Sequence, residues 1–118
     1  MVTGRFAPSP TGALHIGNLR TFLLAWLFAR SEHGTVLLRF EDLDIATARR
    51  EHEAGQHRDL AALGLDWDAD PVRQSDRREL YEDAIADLER AGLTYRCWCS
   101  RREIREAAAA PHGPPGSY

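Results

Sequence analysis

The sequence contains no lysine: all 15 of its basic residues are arginine. It therefore has no Walker GxxxxGK[ST] motif. GxGxxG is missing too, so a P-loop ATPase or a dinucleotide-binding enzyme is excluded. Cysteine is scarce, and the two present, Cys97 and Cys99, are too few for a disulfide framework. Long apolar runs are missing as well. The longest, Phe22 to Ala29, has 8 residues, against the roughly 20 that a membrane-spanning helix needs. No basic segment followed by an apolar core and a cleavage site opens the chain, so a cytoplasmic location with no membrane partner is expected. The formal net charge of −3 gives no general basic footprint for nucleic acid, and any RNA contact has to be local. There are no internal repeats.

What is present suits a packed α/β domain, or part of one: 118 residues, 43% of them hydrophobic and 28% charged. Val2 to Phe6 reads as a short buried strand. Leu19, Phe22, Leu23, Trp26 and Leu27 follow the i, i+3, i+4, i+7, i+8 spacing of a helix that begins near Asn18. Leu24, Ala25 and Phe28 fill its other faces, which predicts a largely buried helix ended by Gly34. Thr35 to Phe40 is a β-rich run suited to the centre of a parallel sheet, and strand, helix, strand makes a right-handed βαβ unit. A polar helix follows from about Ala48 to Leu63, stopped by Gly64, and then a turn-rich connector, Leu65 to Pro71. Asp76 and Glu79 form a capping pair for a helix with the stripe Leu80, Ala84, Ile85, Leu88, closed at Gly92. Leu93 to Cys99 reads as a strand. Ser100 and Glu103 form a capping box for an Ala-rich helix that Pro111 ends, and the tail His112 to Tyr118 is too rich in Pro and Gly for regular structure.

The stretch Arg5 to Asn18 organises the rest. Pro8 and Pro10 forbid a helix and remove two backbone donors, so it must be an extended loop between the first strand and the first helix. Gly12 and Gly17 allow tight turning or close approach. A helix N-terminus after such a loop is an anion site, because its first amides are unpaired. The dipole alone contributes roughly 0.3–1 kcal/mol per charge, so a triphosphate needs side chains as well: His15, Asn18, Ser9 and Thr11.

The string Arg5-Phe6-Ala7-Pro8-Ser9-Pro10-Thr11-Gly12, followed by Leu14-His15-Ile16-Gly17-Asn18, resembles the start of the glutamyl class I aminoacyl-tRNA synthetases. In that family a His-x-Gly-x element binds ATP at a helix N-terminus; its fourth residue is often His and here is Asn18. The resemblance implies a Rossmann-like catalytic domain. It assigns His15, Gly17 and Asn18 to catalysis, and Ser9, Thr11, His15, Gly17 and Asn18 to ATP. It assigns Arg5, Phe6, Ala7, Pro8, Ser9 and Glu41 to L-glutamate. Arg5 would read the substrate's side-chain carboxylate, a task suited to a planar fork and not to an ammonium. Glu41, at the end of the second strand, would take the α-ammonium; acids clustered there expect a cation, ammonium or Mg²⁺. Asp42 and Asp44 are weaker cases, which cap the next helix or shape the acceptor region. The implied chemistry is attack of glutamate on the ATP α-phosphate, giving glutamyl-adenylate and pyrophosphate.

Cys97-Trp98-Cys99 in a strand puts both thiols on one side, badly placed for a mutual disulfide but acceptable as two of four zinc ligands. Two free structural cysteines are the alternative. The Cys-x-Cys pair and the Ala-Pro-His-Gly-Pro-Pro-Gly-Ser-Tyr ending are similar to the glutamyl-Q tRNA(Asp) branch of the family, which loads glutamate onto queuosine in the anticodon of tRNA(Asp). That similarity makes Tyr118 the third zinc ligand and a later Cys the fourth, with His112 as the in-chain alternative. His33, His52, His57 and Trp67 show no ligand spacing.

The expected organisation is then residues 1–95 as the first half of the Rossmann-like catalytic domain and 96–118 as the start of a zinc-binding insertion. The second ATP motif of the family, rich in Lys and Ser, has no counterpart in this sequence. The chain is accordingly expected to be the inactive N-terminal part of a monomeric synthetase that uses ATP, L-glutamate and tRNA(Asp). The alternatives are a glutamyl-tRNA synthetase fragment and a nucleotide- and zinc-binding remnant without turnover.

Overall fold

The computed structural model describes residues 2–109, and the chain divides into two compact units, Met1–Glu82 and Asp83–Tyr118. The first begins with strand β1 (Thr3–Phe6), helix α1 (Ile16–Ser31), strand β2 (Thr35–Phe40), helix α2 (Arg50–Ala62) and strand β3 (Val72–Arg73). A single 3₁₀ turn, Ser75–Arg77, leads into helix α3 (Arg78–Arg90), which crosses the division between the units. The sheet is parallel, in the order β1-β2-β3. Sheet and helices together form the α/β, Rossmann-like start expected from the sequence. No helix among the described residues is long and apolar enough to cross a membrane.

Register explains the core. Gly4 pairs with Val36 and Phe6 with Leu38, so these residues share one sheet face. Phe22 and Ala29 of α1 and Leu60 of α2 join Phe6, Val36, Leu38 and Phe40 in a single cluster on that face. The rings of Phe6 and Phe22 lie 5.5 Å apart. Gly4 allows the close fit: a Cβ there would stand 3.0 Å from the Ala29 Cβ and 3.1 Å from the Ala25 oxygen. On the other face stand Arg5, Leu37 and Arg39.

Helix ends follow the glycines, with one change. After α2, the Gly64 amide donates to the Ala61 carbonyl and Leu65 to Leu60. Gly64 adopts φ +72°, and Leu65 is buried. Gly92 and Leu93 repeat the pattern after α3. At the end of α1, however, His33 takes the left-handed position, with φ +51°. Gly34 follows it where a Cβ would lie 2.3 Å from the Val2 oxygen. Gly34 is therefore needed for closeness and not for its φ.

Several expectations fail here. Helix α1 is not largely buried: only Phe22 and Ala29 are, while Phe28 is 71% exposed. No residue of α3 is buried, its apolar stripe included. Asp76 and Glu79 do not cap α3, which continues from the 3₁₀ turn. Leu93 to Cys99 is not a strand; a single extended run has no ladder without a partner to bond. The box at Ser100 does form: its hydroxyl accepts from the Glu103 amide at 3.2 Å, and the Glu103 carboxylate accepts from the Ser100 amide at 2.6 Å. It opens helix α4 (Arg101–Ala109).

Strand β3, unforeseen from the sequence, is held by charge. The Arg73 guanidinium grips the Glu53 carboxylate through both Nε (3.0 Å to each oxygen) and Nη2, while Arg50 adds a contact at 3.0 Å. Hydrogen bonds from Arg73 hold the pKa of Glu53 below the ordinary glutamate range, outweighing the opposing effect of burial. The unfolded chain binds this proton at about pH 4.3, and the folded chain only at lower pH. The pair's contribution is thus complete above that value and lost as pH falls through the folded one. We expect melting temperatures between pH 5 and 3 to drop more steeply for the wild type than for Glu53→Gln; equal slopes would show that the pair contributes nothing.

Candidate active site

The loop after β1 is shaped by where its carbonyls go. The Glu41 amide, just past β2, donates to Pro8 O at 2.9 Å, and the Arg49 amide at the start of α2 donates to Pro10 O at 2.9 Å. Ser9 O accepts from the Thr11 amide at 2.8 Å. From α2, the Gln56 side-chain amide donates to both Ser9 O (2.9 Å) and Gly12 O (2.8 Å). Pro8 and Pro10 are buried. The loop is thus fixed on β2 and α2 rather than free.

Where it reaches α1, His15 is the N-cap. Its Nδ1 accepts from the Gly17 amide at 3.1 Å, and Asn18 Oδ1 accepts from the His15 amide at 3.2 Å, a reciprocal box. An Nδ1 that accepts leaves the ring proton on Nε2 in neutral imidazole. His15 is therefore fixed by one nitrogen and offers the other as a donor. There is no acidic residue in the first turn of α1, so nothing there opposes an anion.

A cleft of about 420 Å³ opens over this turn, within the roughly 300–1,000 Å³ of small-molecule sites. Ala7, Pro8, Ser9, Thr11, His15 and Asn18, all expected from the sequence, line it, together with Thr21, Phe22 and Gln56. Gly17 does not line the cleft but supports it: a Cβ there would lie 2.9 Å from His15 Cε1 and 3.0 Å from Nδ1. Only glycine leaves the imidazole in place.

The expected glutamate residues are less uniformly placed. Phe6 is wholly buried, and its ring packs in the core instead of reaching a ligand. Arg5 is exposed, on the opposite face from Phe6, and its guanidinium has no hydrogen bond or ion pair among the described residues. The Glu41 carboxylate is paired with Arg39 at 2.5 Å, so its charge already has a partner in the chain. Asp42 does not cap α2. It accepts from the Ser75 amide (2.9 Å) and hydroxyl (2.6 Å); burial opposes its ionisation, but these bonds prevail and lower its pKa. Asp44 shapes the turn before α2 by accepting from the Ala46 amide at 3.1 Å.

Cys97 and Cys99 are exposed free thiols in an irregular segment, so strand alternation does not align them. Among the described residues no group of three or more His, Cys, Asp or Glu could hold a metal. Two thiols supply half of a tetrahedral set; Tyr118 and His112 lie outside the described residues.

With this geometry in hand, comparison with known proteins is direct. Residues 1–113 match the family model described as "tRNA synthetases class I (E and Q), catalytic domain". The chain belongs to this family. It is 60% identical over 115 residues to a glutamyl-Q tRNA(Asp) synthetase of Nocardia farcinica, covering 98% of this chain and 36% of the relative. With its counterpart in Deinococcus radiodurans the identity is 53% over 121 residues, covering 99% and 39%. The crystal structure of glutamate-tRNA synthetase from Elizabethkingia anophelis superposes with a TM-score of 0.74 at 32% identity, covering 90% of this chain and 23% of that one. The chain thus spans little more than a third of the length of these curated relatives. The residues that line the cleft all fall within the stretch that matches the family model.

Sequence reading missed Gln56. Its signal is present but unusual: Glu53, Gln56 and Leu60 are the buried residues of α2, spaced as one helix face. Two of the three are polar, so the face looks solvated.

Proposed function

We propose that the protein carrying this chain activates L-glutamate with ATP and transfers it to queuosine of tRNA(Asp). The observation that carries the reading is the gathering of Ser9, Thr11, His15 and Asn18 around one cleft at the N-terminus of α1. In the proposed reaction a glutamate carboxylate oxygen bonds to the α-phosphorus while the bond to the β-phosphate's bridging oxygen breaks, and pyrophosphate leaves. The α1 amides and His15 Nε2–H would bind the phosphate oxygens and steady their charge. Donors of this kind are worth about 10²–10³ in rate each when they are preorganised. Arg5 would bind the substrate's side-chain carboxylate, with Ala7, Pro8 and Ser9 lining its pocket, and Glu41 the ammonium. For Glu41 this requires sharing its carboxylate with Arg39. ATP would enter with Mg²⁺, in a monomer working in the cytoplasm.

The relatives named glutamyl-Q tRNA(Asp) synthetase, at 46–60% identity, support this substrate over tRNA(Glu). The likeness to a glutamate-tRNA synthetase favours the second reading, charging of tRNA(Glu). Glutamate- and ATP-dependent pyrophosphate exchange is the first test. We would measure it in the 118-residue chain and in a fusion that supplies the remaining length from the Nocardia farcinica relative. Exchange is expected in the fusion and not in the chain alone. No exchange in either would leave a nucleotide-binding remnant. Glutamate transfer by the fusion to tRNA(Asp) with and without queuosine, and to tRNA(Glu), then separates the two substrates.

Residues 96–118 are proposed to begin a zinc-binding insertion, with Cys97, Cys99 and Tyr118 as ligands and the fourth supplied outside this sequence. Such a closed site would contribute folding energy. Metal analysis of the fusion should then find one zinc, and chelation should lower its melting temperature and RNA transfer while sparing exchange. Freshly purified protein without zinc would remove the site.

A further inference from the structure

Gln56 is 1% exposed, yet it sits in mid-helix with no side-chain partner except the loop. Its two Nε2 protons have two acceptors, Ser9 O and Gly12 O, on either side of Pro10. The orientation is chemically forced, since reversing the amide would set its oxygen against two carbonyl oxygens. The bonds leave Oε1 buried with no partner among the described residues. A buried acceptor without a partner is unfavourable. An apolar side chain of similar size would remove that orphan but would also take the donor from Gly12 O, so what the glutamine adds is the hold on the loop.

Only a primary amide supplies two donors to two carbonyls without adding charge. Glutamate offers acceptors, methionine neither. The carbonyls it joins bracket the section of loop whose Ser9 and Thr11 line the cleft. We propose that Gln56 is a positioning residue, which fixes the loop at Ser9 and Gly12 so that Ser9, Thr11 and the His15 cap face one bound nucleotide. The nucleotide part of this inference rests on the function proposed above; the fixing of the loop does not.

The test uses the 118-residue chain and follows amide exchange by NMR. In the wild type, the side-chain amide protons of Gln56 should exchange slowly, and those of Gln74, the other glutamine, quickly. Equal exchange would overturn the proposal without any variant. In Gln56→Met, the Thr11 amide, whose acceptor Ser9 O shares the strap, should lose protection by about tenfold. The melting temperature should stay within about 4 °C of wild type, the shift that 1 kcal/mol or less produces in a chain of this size. A folded variant with unchanged Thr11 protection would overturn the proposal. Unfolding of both Gln56→Met and Gln56→Glu would overturn it too, by making Gln56 a stability residue.

Titration with Mg-ATP adds the functional arm. Binding to wild type is expected to weaken by about tenfold in Gln56→Met, the equivalent of one typical hydrogen bond. Equal binding despite a loosened loop would overturn the positioning of the site. If the wild type bound no ATP while the loop still depended on Gln56, the fixing would stand and the nucleotide reading would fall.

Discussion

Replacing Gly17 with alanine should leave the protein folded and, in the fusion described above, remove most of the proposed adenylate formation. The two effects come from one methyl group. Gly17 is the second residue of α1, where alanine is a better helix former than glycine by up to about 1 kcal/mol. Loss of the His15 cap costs a similar amount, typically about 1 kcal/mol, so a thermal transition within a few degrees of the wild-type temperature is expected. The new Cβ would stand 2.9 Å from His15 Cε1 and 3.0 Å from Nδ1, closer than carbon and nitrogen tolerate. The backbone there is helical and bonded, so the imidazole has to give. Once it rotates away, Nδ1 no longer accepts from the Gly17 amide, and Nε2–H leaves the cleft.

The loss should resemble removal of one preorganised transition-state donor, about 10²–10³ in exchange rate. Gly55→Ala is the control. It lies in α2, where the nearest atom to a new Cβ is Arg58 Nη2 at 3.9 Å. It should gain stability and keep full exchange. Wild-type exchange in folded Gly17→Ala would show that the His15 ring has no part in the reaction.

The stretch around His15 and Gly17 illustrates what was legible in the sequence and what was not. Pro8 and Pro10 declare a loop before a helix by local rules, although the helix starts at Ile16 rather than near Asn18 and the cap by His15 was not foreseen, and β2 is recognisable because six residues in a row favour a central strand. Gly64 and Gly92 end their helices because only glycine takes a left-handed φ freely. What was not legible depends on partners far along the chain. Val72–Arg73 is too short to show β preference, and it pairs with β2 beside a bond from the Gln74 amide to Phe40 O and the Arg73–Glu53 ion pair. Leu93 to Cys99 alternates like a strand but finds no neighbour among the described residues. The apolar faces of α1 and α3 promised burial that this chain does not provide; Ile16, Leu27 and Leu80 are all exposed.

The network at the far end of α1 was equally hidden. Arg30 donates to Asp66 (2.7 Å) and Asp68 (2.8 Å), Trp26 Nε1 donates to Asp66, and the Val36 amide donates to Asp68. It ties the connector read only as turn-rich to both α1 and β2. The hydrogen bonds from Arg30 lower the pKa of each carboxylate, so both remain ionised partners through the neutral range.

Arg5→Lys should separate glutamate from ATP. Arg5 stands at the end of β1 with its guanidinium unpaired among the described residues, on the sheet face away from the Phe6 core. A surface arginine replaced by lysine ordinarily changes stability little, so the melting temperature should hold. The ammonium keeps the charge but loses the fork: one donor direction replaces two parallel N–H groups that meet both oxygens of a carboxylate. If Arg5 reads the glutamate side chain, the lost charge-assisted bond is worth about 1.5–3 kcal/mol, roughly 10- to 150-fold in glutamate-dependent exchange. The deficit should shrink as glutamate is raised, because the contact forms in the ground state. The half-saturating ATP concentration should stay unchanged. Gly17→Ala should behave oppositely, its loss remaining at saturating glutamate, since the proposed partner of His15 is the phosphates and not the amino acid. Exchange by Arg5→Lys within about threefold of wild type at low glutamate, well short of one lost charge-assisted bond, would detach Arg5 from the substrate and leave it a surface residue of β1.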